Sequence, residues 1–183
     1  MIKFIINLFD LNTVFLLGYM GCGKSILGKA LASQVNISFF DLDKKIEENE
    51  KKSIHEIFQL KGELYFRQIE RKILLEIIDS SIPKIVSLGG GAPCYFTNMT
   101  DIINSSHQSI YFKASVDNLV DKLYNKNHKR PLISHLKNKI DLKEFISKHL
   151  FERSLFYEKA QIKINVDNKS IPEIIGEILL SLD

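Results

Sequence analysis

The sequence is poor in anything that would cross-link, interrupt or anchor it. Cysteine occurs only at Cys22 and Cys94, too few for the disulfide framework of a small secreted domain. Both read as reduced thiols in a cytosolic setting, and Cys22, inside a glycine loop, reads as an inert small residue. The histidines at 55, 107, 128, 135 and 149 are scattered and form no Cys/His cluster with zinc-site spacing, which argues against a structural metal. Only four prolines interrupt the pattern. No apolar run approaches the roughly eighteen residues of a spanning helix, so no membrane partner is expected. The stretch 1–17 is apolar but is broken by Asn7, Asp10 and Asn12. It meets a glycine motif without a small-residue cleavage site, so a signal peptide is not expected. An excess of one charge is missing too. Lys and Arg number 25 against 22 Asp and Glu, a net +3, which speaks against a dedicated nucleic-acid binder.

What is present suits one domain. The 183 residues are 45% hydrophobic and 26% charged, enough for a sizeable core under a solvated surface. Short apolar runs at 13–17, 37–40, 84–88, 109–112 and 162–166 read as five strands. Between them, 24–34, 53–61, 63–79, 116–124, 142–159 and 172–180 carry helical spacing. Alternating strands and helices predict an α/β three-layer sandwich on a five-stranded, mostly parallel sheet. Two segments exceed that plan. More than forty residues of mostly helical pattern lie between the second and third strands, more than one crossover helix needs. The segment 122–139 holds six Lys or Arg and no acid. The first (about 43–79) reads as a substrate-binding insertion and the second (about 122–139) as a lid, with a solvated basic loop as its alternative.

Gly18-Tyr-Met-Gly21-Cys22-Gly23-Lys24-Ser25 fits G-x-x-x-x-G-K-[ST], with the strand TVFLL before it and a helical run after it. Glycines let successive backbone N–H groups converge on phosphate oxygens, and the new helix turns its positive end toward them. In this pattern Lys24 reaches the β- and γ-phosphates and Ser25 ligates magnesium. Average residue frequencies give about one chance match per one to two hundred chains of this length, and the required strand and helix lower that further. ATP or GTP binding with Mg²⁺ is therefore expected.

The other motifs are each ambiguous. Phe40-Asp41-Leu42-Asp43 closes the second strand, and alternation puts both carboxylates on one side of it, where the strand ends of a parallel sheet border a ligand. Asp43 equally reads as the cap of the helical run that follows. Arg67 and Glu70 stand three apart on a helix and read as an active-site pair or as a surface ion pair. Gly89, Gly90 and Gly91 follow the third strand, allowing close approach to a ligand or only a tight turn. Arg130, in Arg-Pro-Leu-Ile, suits stabilisation of a transferring phosphoryl group. Arg153, on a later helix, is otherwise a solvated arginine.

Taken in order, the P-loop, F-D-x-D, G-E-x-x-F-R-x-x-E, strand with G-G-G, R-P-L and E-R-x-x-x-Y resemble the shikimate kinase family over about 14–172, nearly the whole chain. The resemblance implies a P-loop NTPase fold of the nucleoside-monophosphate-kinase type with substrate-binding and lid insertions. It implies ATP and shikimate as partners, phosphorylation of the shikimate 3-hydroxyl, Mg²⁺ as cofactor, and a cytoplasmic monomer that binds neither nucleic acid nor membrane. Carried over by motif, Lys24, Asp43 and Arg130 are catalytic. ATP lies on Gly21, Cys22, Gly23, Lys24, Ser25 and Ile26, with Arg130 and Pro172 beyond. Magnesium is held by Ser25 and Asp41, the latter through water. Shikimate meets Asp43, Arg67, Gly89, Gly90, Gly91 and Arg153. Relatives carry an adenine-packing arginine early in the lid where this chain has Lys122 and Tyr124, either of which is a candidate substitute. Residues 1–12 extend beyond the usual family start, as an added strand or an early start codon. Weighed beside this are a kinase of the same architecture acting on gluconate or a nucleotide, a shikimate-sensing module without turnover, and, last, a nucleic-acid binder.

Overall fold

The structure, a computed structural model, describes residues 12–124 and 131–182. The strands are β1 (Val14–Leu17), β2 (Ser38–Asp41), β3 (Lys84–Ser87), β4 (Gln108–Lys113) and β5 (Ile162–Asn165). The helices are α1 (Lys24–Val35), α2 (Leu42–Glu50), α3 (Ile54–Ile78), α4 (Asn98–Asn104), α5 (Val116–Tyr124), α6 (Lys139–Tyr157) and α7 (Ile171–Leu182). The strands form one sheet in the order β2-β3-β1-β4-β5, and every pairing is parallel.

Burial explains the strand sequences. Val14, Phe15, Leu16 and Leu17 are all fully buried, although successive side chains point to opposite faces. Both faces of β1 are therefore covered, which is why it reads as an unbroken apolar run. The edge strands β2 and β5 are only partly buried and mix polar with apolar residues. No helix among the described residues is long and apolar enough to cross a membrane.

The five expected strands are present with their ends moved by a residue or so. The two helical runs expected at 53–61 and 63–79 form one element, α3, broken at Gly62, whose φ of 80° is non-helical. Its start is set by a capping box. The Ser53 hydroxyl accepts from the Glu56 amide, and the Glu56 carboxylate accepts from the Ser53 amide. α4 is missing from the sequence reading, since seven residues following a 3₁₀ turn at Ala92–Cys94 carry too little periodicity to show. α6 begins three residues earlier than expected because Asn138 caps it, accepting from the Asp141 amide at 2.8 Å.

α1 lies close on the sheet at Gly28. A Cβ there would stand 2.5 Å from the Phe39 ring and 2.7 Å from Leu16 Cδ1, so the missing side chain sets the distance between α1 and the β1–β2 region. Gly28→Val should lower stability by about 1–3 kcal/mol through overpacking, against a helix-propensity gain of only a few tenths. Chemical denaturation measures it, and a variant as stable as the parent would show that the layer spacing is not set there.

Candidate active site

The carboxyl ends of β2, β3 and β1 lie side by side, and a glycine-rich or acidic segment leaves each one. They enclose a cleft of about 490 Å³ whose lining includes Gly21, Lys24, Ser25, Asp41, Asp43 and Gly90. Ligands of open parallel sheets bind at such strand ends.

On one side is the loop between β1 and α1. Gly18, Gly21 and Gly23 have φ of 140°, 86° and 105°, in the region that residues with a Cβ seldom adopt. At Gly18 space is short as well, since a Cβ would fall 2.8 Å from the Phe112 carbonyl oxygen. No side chain among the described residues caps α1; the Ile26 and Leu27 amides donate to the Gly23 carbonyl, which leaves those of Lys24 and Ser25 for an anion. Lys24 Nζ donates to the carbonyls of Gly18 at 2.7 Å and Tyr19 at 3.2 Å, curled back on its own loop. Ser25 Oγ donates to Asp41 Oδ2 at 3.1 Å. Cys22 is buried, and its side chain is absent from the cleft lining.

The carboxylates after β2 are arranged differently from the strand alternation expected. β2 ends at Asp41, which is itself the cap of α2, accepting from the Lys44 amide at 3.3 Å. Asp43 lies in the first turn of α2 and is no cap. Both side chains nevertheless line the cleft, because the helix starts at the strand end. The Asp43 carboxyl is held above its usual range by burial first and then by the nearby Asp41 charge, with Lys24 and Arg67 opposing.

The far side is built on α3 and α6. Arg67 is buried, not part of a surface pair. Its Nη1 donates to Glu70 Oε2 at 2.8 Å, and its Nε and Nη2 reach Glu63 Oε1 at 3.4 and 3.3 Å. Tyr95 stacks on the guanidinium at 4.1 Å and donates its hydroxyl to the same Glu63 oxygen at 2.6 Å. Glu70 is fully buried and its Oε1 has no hydrogen-bond partner among the described residues. Burial pushes its carboxyl up to about 7, with Arg67 offsetting part of that rise. The triple glycine fits these groups closely. A Cβ on Gly89 would stand 2.7 Å from Asp43 Oδ1, one on Gly91 2.7 Å from Arg67 Nη2, and one on Gly90 3.6 Å from Arg153 Nη1. The Tyr157 hydroxyl donates to the Gly90 carbonyl.

The fold thus gathers Lys24, Ser25, Asp41, Asp43, Arg67, Gly89, Gly90, Gly91 and Arg153 around one cleft, with Ile26 exposed at its edge. Pro172 stands apart, in a shallow depression between α1 and α7 with Ala30 and Gln34. Arg130 lies outside the described residues. Of the two substitutes for the adenine-side arginine, Lys122 lines the cleft, whereas Tyr124 turns to the Lys137 carbonyl and Lys139. Sequence reasoning missed Glu63, Tyr95 and the burial of Glu70. For Glu70 a signal existed, since it falls on the α3 face shared by Phe66, Ile73 and Leu74. Nothing local marks Tyr95.

Comparison with known proteins gives the family. A family model described as shikimate kinase matches residues 20–183. A shikimate kinase of Flavobacterium johnsoniae is 45% identical over 169 residues, covering 92% of this chain and 98% of the relative. The crystal structure of shikimate kinase from Bacteroides thetaiotaomicron superposes with a TM-score of 0.85 at 34% identity, covering 93% of this chain and 98% of that one. The Acinetobacter baumannii shikimate kinase in complex with shikimate gives a TM-score of 0.82 at 25% identity, covering 96% of this chain and 95% of that one.

The buried acid has a pH signature. Because the folded-state value of Glu70 stands at about 7, above its ordinary 4.5, its protonated form favours folding. That stabilisation is complete below about 4.5 and is lost as pH rises through 7. Between pH 4.5 and 8 the parent should lose up to about 3 kcal/mol relative to Glu70→Gln, which cannot titrate. Urea denaturation across that range measures it, and parallel curves for the two proteins would refute the buried-acid account.

Proposed function

The chain belongs to the shikimate kinase family, and on that premise we infer how its residues carry transfer of the ATP γ-phosphoryl group to the 3-hydroxyl of shikimate, giving shikimate 3-phosphate and ADP. The observation that carries the assignment is the meeting of two unlike half-sites across Asp43 and Gly89–Gly91. One is a loop built for phosphate, and the other a pair of arginines suited to a small carboxylate.

ATP phosphates lie on the amides from Gly21 to Ile26. Lys24 leaves the Gly18 and Tyr19 carbonyls for phosphate oxygens, an exchange that neutralises charge as the phosphoryl group moves. Ser25 Oγ and Asp41 Oδ2 are hard oxygen donors 3.1 Å apart at the cleft, which fits Mg²⁺, an ion that takes one or two protein oxygens and completes its shell with water and phosphate. When bound there it supplies charge neutralisation on the phosphate oxygens. Arg130 adds positive charge from the lid, about 122–139, whereas the separate depression that holds Pro172 gives no support to its expected place at the adenine. Lys122 is the cleft residue placed to replace the lid arginine of relatives.

Arg67 and Arg153 grip the shikimate carboxylate, for which planar guanidinium forks are suited. The segment about 43–79 brings Arg67 and Asp43 to the same substrate. Gly89, Gly90 and Gly91 let the ring approach the backbone. Asp43 accepts the hydrogen bond of the 3-hydroxyl, aims its oxygen at the γ-phosphorus and receives its proton. Its raised pKa makes it a better acceptor than an ordinary carboxylate. A loose transition state asks for little proton removal early, so orientation dominates. Exclusion of water by the lid keeps water from competing as acceptor. The reading is of a cytoplasmic monomer acting on two small molecules and no nucleic acid, and the near-balanced charge of +3 supports that choice of substrates.

ADP release with Mg-ATP should be saturable with shikimate and absent with gluconate, nucleoside monophosphates or no acceptor. A different preferred acceptor would overturn the roles of Arg67, Arg153 and Asp43. Asp43→Asn should lower kcat by about 10²- to 10⁴-fold, and Arg67→Ala should raise the shikimate KM while leaving that for ATP in place. A near-parental rate in Asp43→Asn would leave that residue no part in the chemistry.

A further inference from the structure

α6 turns His149, Arg153 and Tyr157, spaced four apart and so aligned on one side of the helix, toward the phosphate loop and Gly90. Tyr157 holds the Gly90 carbonyl, and Arg153 lies over Gly90. His149 instead meets the phosphate loop. Its Nδ1 is 3.0 Å from the hydroxyl of Tyr19, the second residue of that loop, and the two rings pack edge to face with centroids 5.6 Å apart. Tyr19 is buried, at 1% exposure, so its hydroxyl sits where an unmade hydrogen bond is costly. At its backbone the same residue is tied to the phosphate-binding cation, since its carbonyl accepts from Lys24. The other face of the imidazole is held by Phe145, at 5.2 Å, which in turn meets His135 edge to face.

The imidazole is suited to accept from the phenol. Burial, and then the Arg153 charge, lower the His149 pKa, favouring a neutral ring with Nδ1 free to accept and the proton on Nε2. Glu152 acts in the opposite sense. Tyr19 is itself buried and is separated from the fully buried β1 by one residue, so its hydroxyl is a point against which a helix can be set.

We propose that His149 is a positioning residue for the kinase reaction: its hydrogen bond to Tyr19 sets α6 against the phosphate loop and thereby fixes where Arg153, one turn further along, presents its guanidinium to the shikimate carboxylate. The inference rests on the reading of Arg153 as half of the carboxylate clamp. It assigns the distance between the two substrate sites to one side-chain hydrogen bond that joins α6 to the back of the phosphate loop.

Tyr19→Phe keeps the ring and removes the hydroxyl, His149→Leu removes the acceptor, and His149→Asn keeps an oxygen able to accept near the place of Nδ1. The first two should raise the shikimate KM by about three- to tenfold, the loss of one hydrogen bond, with the ATP KM and kcat within about twofold of the parent. The double variant should be no worse than either single one, and His149→Asn should restore most of the loss. Melting curves identify any variant that fails to fold, for which Tyr19→Phe, the smallest change, stands as the deciding protein. An unchanged shikimate KM in folded Tyr19→Phe, additive effects in the double variant, or a rise confined to the ATP KM would overturn the proposal. Arg153→Ala separates it from its premise. If that change leaves the shikimate KM in place, the clamp assignment fails. If it raises KM while Tyr19→Phe does not, only the positioning role fails.

Discussion

Val14 pairs with Ile85 on one side and Gln108 on the other, both in parallel, and the position of the chemistry follows from that pairing. Parallel neighbours end at the same level, so the loops after β1, β2 and β3 emerge together and cannot avoid each other. β1 is buried on both faces, so a shift of register would break its close packing on both sides and its ladders to β3 and β4. The phosphate loop is thus fastened to the least movable part of the molecule. Catalysis by positioning needs such a fixed reference, because phosphoryl transfer gains more from alignment and charge placement than from covalent help by the protein.

Around that reference the charges are unevenly solvated. The phosphate side is open, with Lys24 resting on carbonyls that it can leave for stronger anionic partners. On the other side Arg67 is buried with Glu70, and a desolvated pair of this kind contributes little net stability. Its value lies in geometry. Glu70 holds one edge of the guanidinium, Tyr95 covers its face, and the Nε–Nη2 edge is left to Glu63, whose longer contacts at 3.3 and 3.4 Å are weaker than the 2.8 Å bond to Glu70. That edge is therefore the one a competing anion could take while the bond to Glu70 stays in place.

The glycines after β3 show how tightly the two sides are joined. Each is opposed by a different group: Gly89 by Asp43, Gly90 by Arg153 and Gly91 by Arg67. A Cβ at Gly89 or Gly91 would press on Asp43 or Arg67, whereas one at Gly90 would make only an ordinary contact with Arg153. At Gly89 and Gly91 the packing of the chain's own side chains leaves no room for a Cβ, a demand beyond that of a tight turn alone.

The sequence by itself determined the sheet and the phosphate site. Both depend on contiguous residues, the sheet on apolar runs buried on two faces and the loop on glycine conformations and a helix end within eight positions. The break in α3 at Gly62 was legible for the same reason. Tertiary structure decided the rest. Asp41 rather than Asp43 became the helix cap because α2 begins directly at the end of β2, two residues before the helical run read from the sequence. Arg67 and Glu70 had a plausible life on the surface until α3 packed them inward. Tyr95 reached Glu63 across 32 residues and His149 reached Tyr19 across 130, separations over which neither residue carries any local mark of its partner. Backbone chemistry is written in neighbouring residues, whereas desolvation and side-chain partnership exist only after the chain has closed on itself.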